Sequence, residues 1–340
     1  MTNATLYDRL AAHWPADAAR PLAELIAAQA HSGAYAVFDA DNSSYHHDLE
    51  ESFLPFLEAK GVLTRERLDP SLRLIPFIDR GSERESLTSY YHRLCSIDDQ
   101  VSFPWAAQVF SGFTLAELKA WLDEMLHLAA PIPATCLDAD GTPRRTETRP
   151  PRFMRGMQVL YRALMEHGIA VYVISSAAEE LVRMVMADPK FGYGTRPEHV
   201  IGVSMLLKDR VSGAIATARQ RIAAGRYHPA EFAAWELTPY LWAPLPWYEG
   251  KLSAIHTHIH RWKRPVLVVG DTPVSDGPML LHATDVERGG LRVFVDRKPG
   301  YLAQMQDMQR EHAQAQREHG QPVTAERNWI VVTPAQLGII

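Results

Sequence analysis

The sequence predicts an α/β protein with a doubly wound, mostly parallel sheet and an inserted helical domain. Two observations support this class. Short runs rich in Val, Ile, Tyr and Phe alternate with helical stretches, as in strand–helix–strand units. More than a hundred residues also separate the first run from the second. The runs expected to form buried strands are Ala34–Phe38, Ala170–Ile174, Val200–Val203, Val266–Val269, Leu291–Val295 and Trp329–Val332.

Helical stretches lie beside most of these strands. The stretch Arg152–His167 is followed directly by Gly168, and glycine commonly ends a helix. The segment Ser204–Thr217 has turn-forming residues near its middle, so we expect a hairpin there instead. The expected helices of the core are Arg152–His167, Leu252–Trp262 and Tyr301–Glu318.

The long separation between the first two strands indicates an inserted domain, because unstructured loops of that length are uncommon. Its content is expected to be helical. Asp48–Lys60 carries apolar residues at helical spacing, and Leu115–Ala129 follows a capping box of Thr114 and Glu117. Prolines between 131 and 151 are expected to mark a loop leading back to the sheet. The expected domains are residues 1–44 with 160–340 for the core, and 45–159 for the mainly helical insertion.

Composition excludes several classes of protein. Lys and Arg number 35 against 40 Asp and Glu, a net charge of −5, and no basic block favours nucleic acid or an anionic membrane. Cys95 and Cys136 are too few for a disulfide framework or a Cys-based zinc site. No segment resembles a signal peptide or approaches the roughly 20 apolar residues of a membrane span. We therefore expect a small-molecule partner and a cytoplasmic location as written, periplasmic if a leader has been removed; the oligomeric state stays open.

Polar side chains follow three of the predicted strands at their carboxyl ends, where open parallel sheets bind ligands. Asp39 and Asp41 follow the first strand, Ser175 follows the second, and Asp271 and Asp276 follow the fourth. Each residue alone has an ordinary interpretation as a helix cap or turn former. Together they would form a cluster of carboxylates that repels itself unless a cation lies among them.

Lys251 supplies a cation for this cluster. It follows Gly250 at the expected start of a helix, where the helix dipole disfavours a positive charge. A solvated surface lysine is the ordinary interpretation of such a residue. The acidic cluster nevertheless makes a nearby cation useful, so we favour a functional role.

In chain order these residues read AVFDADNS, VYVIS, GK and GDTPVSD. They resemble the four motifs of the haloacid dehalogenase superfamily: hhhhDxDx[TV], hhhh[ST], a lysine, and GDxxxD or a near variant. Longer stretches such as FDADNSSYHHDLEESFLPFLEAKGVLTRERLDPSL and RWKRPVLVVGDTPVSD are similar to the bacterial phosphorylcholine phosphatases of that superfamily. The resemblance covers most of the chain. It implies a superfamily core with a helical cap, and Mg²⁺-dependent hydrolysis of phosphocholine.

The resemblance also implies how the acidic residues divide the chemistry. Asp39 would be the nucleophile that forms an aspartyl-phosphate, and Asp41 the general acid and then the general base. Asp39, Asp271 and the backbone carbonyl of Asp41 would hold the Mg²⁺ cofactor. Asp276 would orient Lys251 or a metal-bound water.

The phosphoryl oxygens require donors. Ser175 and Lys251 would hold them as a hydroxyl donor and a point charge. Asn42 and Ser43 would offer further donors or support the loop. Ser43 departs from the superfamily pattern, which usually has Thr there, but it keeps the hydroxyl.

The substrate's trimethylammonium group cannot donate an N–H hydrogen bond, so anions and aromatic faces must hold it. The acidic pair Glu50 and Glu51 follows the nucleophile closely and is the candidate, with a solvated helix face as its ordinary interpretation. Two alternatives stay open: a phosphatase of phosphoethanolamine or phosphoserine, and an inactive scaffold of the same superfamily that binds choline or phosphate. The second carboxylate, Asp41, favours a phosphatase because a halide leaving group needs no proton.

Overall fold

The computed structural model describes residues 3–81, 83–138 and 141–340, where helices and strands alternate along much of the chain. The strands are β1 (Tyr35–Phe38), β2 (Tyr45–His46), β3 (Ile132–Leu137), β4 (Pro143–Thr148), β5 (Arg152–Phe153), β6 (Ala170–Ala178), β7 (Val200–Lys208), β8 (Ile215–Ala216), β9 (Glu236–Trp242), β10 (Leu267–Gly270), β11 (Leu291–Val295) and β12 (Trp329–Val332). The helices are α1 (Asn3–Ala11), α2 (Ala16–Ala28), α3 (Leu49–Ala59), α4 (Leu87–Cys95), α5 (Asp99–Gln108), α6 (Leu115–Leu126), α7 (Arg155–Glu166), α8 (Glu179–Met186), α9 (Ala218–Ala223), α10 (Glu249–Ala254), α11 (Pro273–His282) and α12 (Tyr301–Glu318). A π-helical turn, Ile255–Ile259, extends α10.

The main sheet of the described residues has the strand order β12–β11–β10–β1–β6–β7–β8, with β9 also paired to β7. The strands from β12 to β7 are parallel, and β8 and β9 run antiparallel to β7. This confirms the predicted α/β class, its mainly parallel sheet and the hairpin after β7. The central strand β1 lies between β6 and β10. The chain places β6 and β7 on one side of β1, and later β10, β11 and β12 on the other side. Such a switch point opens a crevice at the carboxyl ends of the strands, where ligands bind in open sheets.

Helices cover both faces of this sheet. Successive side chains of a strand point to opposite faces, and the four residues of β1 are all buried. Phe38 joins an apolar cluster with Leu22 of α2 and Leu160 of α7, whereas Val37 joins one with Leu280 of α11. Burying a side chain of this size contributes about 1.5–3 kcal/mol. None of the helices within the described ranges is long and apolar enough to cross a membrane.

The segment between β1 and β6 contains the helices α3 to α7 and the short strands β2 to β5. The Asp48 carboxylate accepts a hydrogen bond from Glu51 N at 2.9 Å and caps α3. The predicted capping box starts α6: Thr114 Oγ1 accepts from Glu117 N at 3.2 Å, and Glu117 Oε2 accepts from Thr114 N at 2.8 Å. These caps fix where α3 and α6 begin. The first residue of α3, Leu49, follows the end of β1 closely in the sequence.

The prediction of a loop across residues 131–151 is wrong. The strands β3 and β4 pair antiparallel there, with Ile132 opposite Thr148 and Leu137 opposite Pro143. Each strand of a two-stranded ribbon has an unpaired edge, where a proline without an N–H group costs no ladder hydrogen bond. The β4 sequence, PRRTET, also lacks the apolar residues that signal a strand. Because Arg152–Phe153 then pairs with Tyr45–His46, α7 begins three residues later than predicted.

Candidate active site

The carboxyl ends of β1, β6 and β10 bring the sequence-predicted polar residues together. Asp39 directly follows β1, Asp271 directly follows β10, and Ser175 lies in the last half of β6. The backbone of Asp39 still belongs to the ladder, because its N–H donates to Val269 O at 2.9 Å. Residues more than two hundred positions apart in the chain therefore meet at the switch point of the sheet.

Lys251 is fully enclosed within this cluster. The residue is 1% exposed, and Nζ donates to Asp39 Oδ1 at 2.6 Å and to Asp276 Oδ1 at 2.5 Å. Burial disfavours the charged ammonium, but the adjacent Asp276 and Asp39 outweigh it and raise the pKa of Lys251 above its ordinary value. The lysine is therefore a cation at neutral pH, in direct contact with the carboxylate that follows β1.

Asp276 positions Lys251 through the start of α11. Its Oδ2 accepts from the backbone N–H groups of Asp271 and Thr272, both at 2.9 Å, which leaves Oδ1 for the lysine. A carboxylate in the first turn of a helix is also favoured by the helix dipole. Gly270 makes this approach possible, because a Cβ there would lie 2.6 Å from the Cβ of Asp276.

Ser43 joins the two strand-end aspartates. Its Oγ lies 2.9 Å from Asp39 Oδ2 and 2.8 Å from Asp271 Oδ1. A hydroxyl has one proton, so it cannot donate fully to two carboxylates at once. The second contact is satisfied if one of the two acids holds a proton or if a cation lies between them.

Asp39 and Asp271 resist ionisation in this environment. Burial, followed by the nearby Asp276, raises the pKa of Asp39 well above its usual value and raises that of Asp271 too. Oxygens of Asp39, Asp271 and Asp276 lie within 4.8 Å of one another, and all three residues are buried. Carboxylate oxygens are the ligands that Mg²⁺ prefers. The donor set and its unmet charge therefore fit a hard divalent cation.

Arg297 is a cation of the site that the sequence analysis missed. It follows β11, and its Nε donates to Asp271 Oδ2, which also accepts from Thr272 Oγ1 at 2.9 Å. Adjacent Asp271 raises the pKa of Arg297 although burial opposes it. The strand-end rule that selected Asp39 and Asp271 would have selected Arg297 as well, had it been applied to the fifth predicted strand.

Asp41 lies beside this cluster and lines the cavity that opens above it. Its Oδ1 accepts from Leu49 N, the first residue of α3, at 2.7 Å, and its Oδ2 lies 3.4 Å from Ser175 Oγ. Burial, with Asp48 as the next cause, raises the pKa of Asp41 well above its usual value. A carboxyl with a raised pKa keeps its proton to higher pH than an ordinary one, and it can give that proton to a leaving group.

The three smaller predicted donors are engaged within the protein. Ser43 and Ser175 are fully buried, and Ser175 Oγ also accepts from Ala177 N at 3.1 Å. Asn42 has a left-handed backbone with φ of 60°, and its Oδ1 accepts from His47 N at 3.0 Å. Asn42 lines the cavity, whereas the two serines lie behind its wall. Their visible contacts hold the loop and the aspartates in place.

The cavity above the cluster has a volume of about 410 Å³. It extends from the strand ends to helices α3, α4 and α5 and to the start of α12. Lys251, Arg297 and Lys298 are the lysine and arginine residues in its described lining. The acidic residues in the lining outnumber them and are Asp39, Asp41, Asp48, Glu50, Glu51, Asp99, Asp271 and Asp276. Such a lining attracts cations, so it suits a metal ion and a substrate with a cationic end.

The structure separates the roles of the two adjacent glutamates. Glu50 is 6% exposed, and its Oε1 accepts from Ala178 N, at the end of β6, at 2.8 Å. Burial raises the pKa of Glu50 to about 8. Glu51 has an exposed side chain that lines the cavity. Its Oε1 lies 3.5 Å from the hydroxyl of Tyr91. Both glutamates line the cavity, but Glu50 is engaged in connecting α3 to β6, whereas the more exposed side chain of Glu51 is available to a ligand.

Several other cavity residues were not selected from the sequence. Asp48, Tyr91, Asp99 and Phe103 belong to the inserted segment, and Tyr301 begins α12. No sequence pattern distinguishes Tyr91 and Phe103 from the aromatic residues in the core of the insertion. Their positions depend on how α4 and α5 pack above the sheet, which no local pattern specifies.

Comparisons with known proteins find similar chains in sequence and in fold. The chain is 57% identical over 325 residues to the phosphorylcholine phosphatase of Pseudomonas aeruginosa, which is 96% of this chain and 92% of that protein. A crystal structure of a functionally unknown protein from Anaerococcus prevotii shares the fold, with a TM-score of 0.59, 18% identity, and coverage of 88% of this chain and 91% of that one. A protein of unknown function from Bordetella pertussis aligns with a TM-score of 0.50 and 15% identity, over 88% and 98% of the two chains. No family model matches the sequence.

Proposed function

The chain belongs to the phosphorylcholine phosphatase family, and from this premise we propose that it hydrolyses phosphocholine to choline and inorganic phosphate. The observation that carries the proposal is the near full-length match to the Pseudomonas aeruginosa enzyme. The acidic cavity supports it, because one end presents Asp39 beside Lys251 and the other end presents Glu51. The activity is that of a phosphoric monoester hydrolase. The four motifs support a haloacid dehalogenase core, with residues 45–159 as a cap over the site.

We propose Mg²⁺ as the cofactor. The buried oxygens of Asp39 and Asp271, and the predicted backbone carbonyl of Asp41, would hold it. Asp276 adds a third carboxylate, although its oxygens already contact Lys251 and backbone N–H groups. When bound, the ion would neutralise negative charge on the phosphoryl oxygens.

In the first half of the reaction a carboxylate oxygen of Asp39 attacks phosphorus. The bond from phosphorus to the choline oxygen breaks, and Asp41 gives its proton to that oxygen. The leaving oxygen of choline therefore departs as a neutral hydroxyl group. Lys251 is the point charge available to the phosphoryl oxygens. Its contacts to Asp39 and Asp276 support in-line placement because they fix the ammonium beside the nucleophile.

In the second half a water molecule attacks the phosphorus of the aspartyl-phosphate. Asp41, now a carboxylate, takes the proton from the water, and the bond from phosphorus to the Asp39 oxygen breaks. Inorganic phosphate leaves, Asp39 is again a carboxylate and Asp41 is again protonated. The Leu49 N–H group and Ser175 keep Asp41 in the same place through both halves.

We assign recognition of the quaternary ammonium to Glu51, with the ring of Tyr91 beside it. A cation over an aromatic face gains about 2 kcal/mol when desolvated. A carboxylate at about 4 Å adds a gross attraction of about 4 kcal/mol at an effective dielectric near 20, before desolvation. Glu50 is assigned a supporting role, because its carboxylate is already bonded to Ala178 N.

Turnover of p-nitrophenyl phosphate and phosphocholine with and without Mg²⁺ tests the function. The wild type is expected to release phosphate from both in the presence of the ion, and Asp39→Asn is expected to release none. A wild type that releases no phosphate but binds choline or phosphate in calorimetry would instead identify a binding protein on the same scaffold.

A substrate panel tests the amine assignment. We expect kcat/KM to decrease from phosphocholine to phosphoethanolamine and phosphoserine. Glu51→Gln should reduce the preference for phosphocholine at least tenfold, and Glu50→Gln, the matched neighbour, should leave it nearly unchanged. Equal preference in the wild type and Glu51→Gln would contradict the assignment. A wild type that prefers phosphoethanolamine or phosphoserine would favour the alternative substrate.

A further inference from the structure

A tight four-residue turn, Trp247–Gly250, directly precedes the buried Lys251. Gly250 N donates to Trp247 O at 2.9 Å and closes the turn. Its second residue, Tyr248, has φ of 53° and ψ of −129°. These angles match the first central position of a type II′ turn, where glycine is typical and a side chain is strained. A tyrosine is therefore unexpected there unless its side chain contributes something that glycine cannot.

The side chain of Tyr248 contacts the inserted segment on the far side of the cavity. Its hydroxyl donates to Asp99 Oδ2 at 2.8 Å, and its ring centroid lies 6.2 Å from that of Phe103. The neighbouring Trp247 ring also lies against Phe103, with centroids 6.4 Å apart. Asp99 and Phe103 both belong to α5 and both line the catalytic cavity. These contacts offset the backbone strain and orient two cavity residues.

The backbone of the same turn determines where Lys251 begins. Lys251 N donates to Tyr248 O at 3.1 Å, so the lysine is hydrogen-bonded to the strained residue itself. The end of the turn packs closely against the preceding segment, because a Cβ on Gly250 would lie 1.9 Å from Leu245 O. A change in the Tyr248 dihedrals would therefore move the first turn of α10, and with it the ammonium held by Asp39 and Asp276.

We propose that Tyr248 is a positioning residue that joins the two ends of the active cavity. Its strained backbone presents Lys251 at the phosphate end, and its side chain holds Asp99 and Phe103 at the amine end. The inference rests on the proposed function, since it assigns the cavity ends by the substrate. It adds Asp99 to the groups that face the quaternary ammonium.

Three variants at position 248 separate the backbone role from the side-chain role. Tyr248→Gly adopts the turn without strain, whereas Tyr248→Ala keeps a Cβ and loses the contacts that offset it. On p-nitrophenyl phosphate, which has no amine, we expect kcat of the glycine variant to exceed that of the alanine variant about tenfold. Tyr248→Phe keeps the ring and loses the hydroxyl. It should keep kcat within about threefold and raise KM several-fold for phosphocholine only.

The exposed Tyr240, changed to alanine and to glycine, is the matched control and should show no such difference. A kcat of Tyr248→Ala on p-nitrophenyl phosphate that equals or exceeds that of Tyr248→Gly would overturn the backbone role. An unchanged KM for phosphocholine in Tyr248→Phe would overturn the side-chain role. If Tyr248→Ala does not fold, the glycine variant decides: kcat within about threefold of wild type supports the backbone role, and a tenfold loss overturns it. Wild-type turnover of both substrates, measured first, separates these outcomes from failure of the proposed function.

Discussion

Removing the charge of Lys251 is expected to destabilise the protein strongly. Lys251→Met keeps the unbranched apolar stem of the side chain but removes the ammonium that lies 2.6 Å from Asp39 and 2.5 Å from Asp276. Breaking a buried ion pair by removing one partner costs about 3–5 kcal/mol. One cation serves two buried acids here, so we expect a loss in the upper part of that range. Urea unfolding at neutral pH with a chelator present measures it.

The same variant reports on the cation site. A divalent ion near Asp39 would compensate part of the lost charge, so Mg²⁺ should stabilise Lys251→Met more than it stabilises the wild type. A ligand at a hundred times its dissociation constant stabilises the folded state by about 2.7 kcal/mol. Lys208→Met, at an exposed position, is the control and should unfold like the wild type. A loss below about 1 kcal/mol, or equal stabilisation of both proteins by Mg²⁺, would refute the reasoning.

Three further predictions concern Glu50, Ser43 and Asp271. Burial raises the pKa of Glu50 from 4.5 to about 8, so the folded chain keeps a proton that the unfolded chain releases, and stability is lost as pH rises from about 4.5 to 8. Glu50→Gln should therefore exceed the wild type in unfolding free energy by roughly 1–3 kcal/mol at pH 8 and by little at pH 4.5, as urea unfolding measures. Ser43→Ala should lower kcat about tenfold and raise the Mg²⁺ concentration for half-maximal activity, whereas Ser43→Thr should keep both, as phosphate release measures. Asp271→Asn should abolish the rise in melting temperature that Mg²⁺ gives the wild type in calorimetry.

Each of these predictions has an outcome that would contradict it, and the first has a matched control. Glu24→Gln, at an exposed position of α2, should change stability equally at both pH values, and a Glu50→Gln gain that does not grow with pH would contradict the first. Ser43→Ala with the Mg²⁺ dependence of the wild type would contradict the second. A persistent Mg²⁺-dependent rise in melting temperature in Asp271→Asn would remove Asp271 from the cation site.

The parallel sheet could be predicted because its strands are short, apolar and bounded by turn residues. All six predicted runs are strands of the main sheet, since a buried strand has to be apolar on both faces. The hairpin of β3 and β4 could not be found in the same way. Its strands lie on the surface of the insertion, carry prolines and charges, and bury few side chains, so they lack the pattern that identified the others.

The clustering of the strand-end residues of the candidate site could be predicted because it follows from topology. Asp39 and Asp271 directly follow neighbouring parallel strands, and Ser175 lies in the last half of the strand on the other side of β1, so all three lie at one edge of the sheet. The amine end depends on packing between α3, α4 and α5, which is a tertiary property. Sequence reasoning could therefore propose Glu50 and Glu51 together, but only the hydrogen bond from Ala178 N to Glu50 separates their roles.

Rapid quenching of the wild type with phosphocholine labelled at phosphorus, followed by mapping of the labelled peptide, tests the central claim most directly. The account predicts an acid-stable, hydroxylamine-sensitive label on Asp39 that approaches one phosphoryl group per chain before steady state and is absent from Asp39→Asn. Label on another residue would contradict the assignment of Asp39, and full turnover with no labelled protein at any quench time would contradict the covalent route.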